Sequence, residues 1–181
     1  MRSALILLTM ALLALSACKQ SETFIDEDRR FEAFDPGADF SLASAPKEIH
    51  RLIVNFFAPD CPPCEKEIPA LRKFYEKYRE TSDVGFVAIG SSLKAIEQNP
   101  KPGKDPPMTK EQIKAEIAVF GKKFPQPYRR HVATAEDLKA WRITGFPETF
   151  VFMRSGNRWR LSKKIISEVT LEDLERELKG I

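Results

Sequence analysis

The chain has 181 residues, with 29 Lys and Arg against 26 Asp and Glu and 43% hydrophobic residues. This near-balance of charge excludes nucleic acid as the principal partner. The length suits one ordinary domain and no more.

The N-terminus reads "MRSALILLTMALLALSACKQ": one Arg, an apolar run from Ala4 to Leu15, the small residues Ser16 and Ala17, then Cys18. The run is short for a bilayer span, which takes about 20 residues. A charged start, a short apolar stretch and a small-residue exit describe an export signal over residues 1–17. "LSAC" resembles the lipobox of bacterial lipoproteins, which implies cleavage before Cys18 and lipid on its sulfur. The same resemblance implies a bacterial cell-envelope protein facing the periplasm and tethered to a membrane. Lys19, in place of Asp, favours the outer membrane in a Gram-negative host. With Cys18 as an anchor, the odd cysteine count becomes one pair, Cys61 and Cys64, in an exported chain where redox state is a variable.

Residues 18–37 are polar with scattered Phe and are predicted to tether a domain spanning 38–181. "ADFSL" suits a short edge strand. "RLIVNFFA" (51–58) is a continuous β-branched and aromatic run, as in a strand buried on both faces. From Pro62 to about Tyr78, Ile68, Leu71, Phe74, Tyr75 and Tyr78 recur at helical spacing. "DVGFVAIG" (83–90) is a second buried strand, which completes a βαβ unit. A Pro-, Lys- and Gly-rich loop fills 91–107. Thr caps then announce three helices, at "TKEQ" (109), "TAED" (134) and "TLED" (170). "ETFVFM" and "RWRLSKKII" flank "RSGN", a hairpin signal. The expectation is an α/β domain, a central mixed β-sheet flanked by helices. It shows no heptad and no exposed apolar face, which suits a monomer. Lys122, Lys123, Arg129 and Arg130 read as a solvated basic face.

Cys61 and Cys64 frame "CPPC". A structural zinc site normally takes four ligands, and the only histidines are His50 and His131, neither at finger spacing. A purely structural disulfide would close a very small loop and remove little chain entropy. A redox pair is the remaining reading, with no metal and no cofactor beyond the disulfide itself. Pro62 at the first helical position makes Cys61 the N-cap, its sulfur at the positive end of the helix dipole. Pro63 has no N–H, so the Cys64 amide is the predicted donor to that sulfur. Cys61 is the attacking thiol and Cys64 resolves.

"VNFFAPDCPPCEKEIPAL" resembles the active-site segment of the TlpA/ResA/DsbE-like thiol–disulfide oxidoreductases, which have the thioredoxin fold. Pro69, eight residues after Cys61, matches the kink of that helix. "GFPETF" (145–150) resembles the cis-proline loop, with Pro147 as the cis residue and Glu148 matching the "PETF" of the cytochrome c maturation branch. The resemblance covers roughly residues 38–180. It implies a thioredoxin-like fold, substrate pairing to the backbone of Phe146, clients that are exported proteins with disulfides, and a membrane electron donor. Apocytochrome c is the client that "PETF" suggests.

Two positions depart from the family. Asp60 stands where most relatives have Trp. Asn55 replaces the buried acid of thioredoxins, which leaves Glu148 as the candidate for proton transfer to Cys64. Asp60, Glu65, Glu67 and Glu148 all place negative charge near Cys61, which raises a thiol pKa and favours reducing behaviour; Pro62 and Pro63 tune the same sulfur. The competing readings are a disulfide isomerase, a sulfenic-acid reductase, and a copper carrier using the two cysteines with His131.

Overall fold

The computed structural model describes residues 25–97 and 107–179. The export signal, Cys18 and most of the 91–107 loop lie outside them. The strands are β1 (Glu32–Ala33), β2 (Arg51–Phe57), β3 (Val84–Gly90), β4 (Arg130–Val132), β5 (Glu148–Ser155) and β6 (Arg158–Ile165). The helices are α1 (Pro62–Tyr78), α2 (Leu93–Glu97), α3 (Lys110–Lys123), α4 (Ala135–Ala140) and α5 (Leu171–Lys179).

The strands form one mixed sheet in the order β1-β4-β3-β2-β5-β6. β2 runs parallel to β3, and β3 parallel to β4, as the βαβ spacing predicts. β5 returns antiparallel beside β2, with Phe56 opposite Glu148 and Asn55 opposite Thr149. Side chains alternate across a strand, so the two faces bury different sets. Ile53, Phe57 and Val151 face one layer with Leu71, Phe74, Leu174 and both active-site cysteines. Leu52, Val54, Phe56, Phe150 and Phe152 face the other, around Trp141.

The Thr signals hold in detail. Thr109 and Thr134 cap α3 and α4 in reciprocal capping boxes. Thr170 accepts from the Asp173 amide, and Asp173 in turn accepts from Thr170, at the start of α5. The hairpin turns at Gly156, whose φ of +60° lies in the left-handed region that glycine enters freely.

Three expectations are corrected. From residue 25 on, the stretch read as a tether joins the fold: Phe31 is fully buried against Phe40, Phe56 and Trp141, and β1 pairs antiparallel with β4. Aromatic burial overrides the polar composition around it. "ADFSL" gives only a single bridge, Phe31 to Phe40, before Ser41 caps a 3-10 turn over Leu42–Ser44. The loop after β3 contains the short helix α2. The basic residues are also dispersed: Arg130 binds the Asp35 carboxylate and lies over the Phe34 ring, and Lys123 sits 3.5 Å from Glu65.

Candidate active site

Strand β2 delivers the chain to a tight turn, Pro59–Asp60, and then to α1. Asp60 is exposed with a φ of +55°, a left-handed conformation that Asp tolerates better than most residues. Cys61 is the N-cap of α1, with Pro62 and Pro63 in the first turn. The Cys64 amide donates to Cys61 Sγ at 3.3 Å. With prolines at the first two helical positions, it is the one early amide able to do so. The two cysteines form a disulfide and are almost equally buried, 2% and 1% exposed. In the oxidised state Cys61 is thus as hidden as Cys64.

The second motif is the loop before β5. The Phe146–Pro147 peptide bond is cis. Phe146 is half-buried and packs against both apolar layers, including the one that holds the cysteines. Pro147 is buried.

Glu148 does not share the cysteine side of the sheet. Its partner across β2 is Phe56, of the Trp141 layer, whereas Asn55 and Thr149 face α1. The Glu148 carboxylate accepts from the Thr144 amide and hydroxyl at 2.8 and 2.5 Å, and its other oxygen lies 2.8 Å from Lys164 Nζ. It secures the loop, and the geometry gives it no route to Cys64.

The carboxyl on the cysteine side is Glu67, which sequence reasoning counted only as a charge. Cys64 and Glu67 lie three residues apart on the buried face of α1, a spacing that makes side chains neighbours. Glu67 is 2% exposed. Its Oε1 accepts from Asn55 Nδ2 at 2.9 Å, and its Oε2 accepts from the Val169 amide at 3.1 Å. Asn55 Nδ2 also donates to Thr149 Oγ1 at 3.0 Å, tying β2, β5 and α1 together. Burial pushes the Glu67 carboxyl up to about 7, against the two hydrogen bonds that favour its ionised form. A signal for it was present: a glutamate on the Cys64–Ile68–Leu71 stripe of an amphipathic helix.

His131 is buried in β4 beside Phe40, and its neighbour on β3 is Ile89, of the Trp141 layer. It lies on the face away from the cysteines, so the copper reading loses its third ligand. Among the described residues no three His, Cys, Asp or Glu side chains cluster as a metal site.

The arrangement is a dithiol at a helix N-terminus, a titratable carboxyl one turn further in, and a proline-bearing loop beside them. The comparisons agree with it. The thioredoxin-like domain family matches residues 39–174. The thiol–disulfide oxidoreductase ResA of Geobacillus kaustophilus is 24% identical over 190 residues, covering 100% of this chain and 94% of the relative. A thiol:disulfide interchange protein of Chlorobium tepidum superposes with a TM-score of 0.59 at 26% identity, over 84% of this chain and 91% of that one. A secreted Mycobacterium tuberculosis disulfide oxidoreductase homologous to DsbE shares the fold at 15% identity and a TM-score of 0.57, over 84% and 96% of the two chains. The chain belongs to the thioredoxin-like domain family, and its Cys61–Cys64 disulfide is the redox pair of a thiol–disulfide oxidoreductase.

Proposed function

We propose that this protein is a membrane-tethered reductase outside the cytosol, held by lipid on Cys18, that reduces disulfides in exported proteins such as apocytochrome c. The observation that carries the chemistry is Glu67, a buried carboxyl poised near neutrality beside Cys64 and suited to exchange its proton. The Cys61 thiolate attacks one sulfur of the client disulfide, forming a mixed disulfide and expelling the first client thiolate. Glu67 takes the proton from Cys64 Sγ. The resulting thiolate attacks Cys61 Sγ, closing the Cys61–Cys64 disulfide and releasing the second client thiolate. The client gains two electrons, which a membrane donor later restores to the pair.

Two features favour the reducing direction. Cys61 Sγ receives one amide hydrogen bond, so its thiolate is less stabilised than at a cap served by several donors. Nearby anionic charge acts the same way, though it narrows to Asp60 and, above about pH 7, Glu67, because Glu65 is offset by Lys123 and Glu148 by Lys164 on the other face. A pair whose thiolate is weakly stabilised holds its disulfide strongly. Equilibration against glutathione buffers is expected to give a potential nearer about −270 mV than about −120 mV. A value at the oxidising end would reverse the assignment.

A further inference from the structure

Glu67 is nearly sealed, yet it borders a cleft of about 400 Å³ between α1 and the start of α5. A water takes about 30 Å³ of liquid volume, so the cleft has room for a short hydrogen-bonded chain. Ala70 lines its wall. Lys66 and Lys73 from α1, Glu168 from the loop and Glu172 from α5 surround it, all four of them exposed. Val169, whose amide holds Glu67 Oε2, is the residue next to Glu168. From the far side, Tyr128 is the remaining titratable group close enough to feel the Glu67 charge.

We propose that this cleft is the proton entrance to the redox pair, with Glu168 as the carrier at its mouth. The proposal rests on Glu67 being the base for Cys64. After Glu67 takes the Cys64 proton, its O–H passes that proton through cleft water to the Glu168 carboxylate and on to solvent. The return runs the other way. Only S–H and O–H bonds change along this route, and no electrons move. The Glu168 charge also helps to hold the Glu67 carboxyl high, as expected of two acids that sense one another.

The test uses full-length reduced protein carrying ¹³C-labelled glutamate, with the Glu67 carboxyl signal followed from about pH 5 to 9 across its titration. In the parent chain one signal moves smoothly with pH. Glu168→Gln removes the carrier and Ala70→Phe fills the cleft. Each is expected to slow protonation exchange by roughly tenfold or more, broadening the signal near its midpoint. Added imidazole is expected to restore exchange in Glu168→Gln, where the cleft stays open, and not in Ala70→Phe. Unchanged exchange in both variants overturns the entrance. Glu67→Gln separates the two ideas: a pH–rate profile that it fails to flatten overturns the base itself, whereas a flattened profile with unchanged exchange overturns the entrance alone.

Discussion

Glu67 occupies a place on the inner stripe of α1 that would otherwise take another apolar side chain. In the unfolded chain its carboxyl ionises near 4.5, and in the folded protein near 7. Between those values the folded state holds a proton that the unfolded state has lost, so stability falls as pH rises through the window. The loss amounts to about 3 kcal/mol. Urea unfolding of the oxidised protein at both ends of the window is expected to show that slope, and Glu67→Gln to remove it. A slope that persists in the variant would place its origin elsewhere. The cysteines give a second expectation: Cys64→Ser is expected to accumulate a mixed disulfide with client through Cys61, and Cys61→Ser to form none. Alkylation of trapped adducts followed by mass analysis reads this directly, and adducts in the Cys61→Ser chain would assign the attack to Cys64.

Most elements follow from local pattern. The Pro62 start of α1, the Thr109 and Thr134 caps and the turn at Gly156 each fix their geometry within a few residues, and the sequence shows them plainly. The N-terminal arm is different. Its strand is two residues long, and its anchor, Phe31, acquires meaning only from Phe56 and Trp141, which are distant in sequence. The same limit explains the exchange of roles between Glu148 and Glu67. Which face a strand residue occupies depends on register, and β5 places Glu148 opposite Phe56, away from the helix. The helical position of Glu67 was legible; its sealed environment depends on Val169, more than a hundred residues later. Phe31→Ala is expected to cost about 3–5 kcal/mol, with a change in Trp141 fluorescence. A loss below about 1 kcal/mol would mean the arm is a dispensable attachment.

At the scale of the whole molecule, the proposed reductase direction has a readout in the cell. Acid quenching followed by alkylation with a mass tag is expected to find Cys61 and Cys64 mostly reduced, sustained by a donor. A mostly oxidised pair would make the protein an oxidase or a resting isomerase. The layout of the sheet bears on how such a protein works when held at one end. Glu27 meets the backbone of Trp159, level with the start of β2, whereas the cysteines follow its far end. The seven residues of β2 put about 23 Å between those levels. The first described residues thus sit near the pole opposite the disulfide. Were the proposed lipid on Cys18 to hold that pole at a membrane, the reactive sulfurs would stand on the far rim, like a lamp on a short post, and clients would meet them from open solvent without first crossing the headgroups.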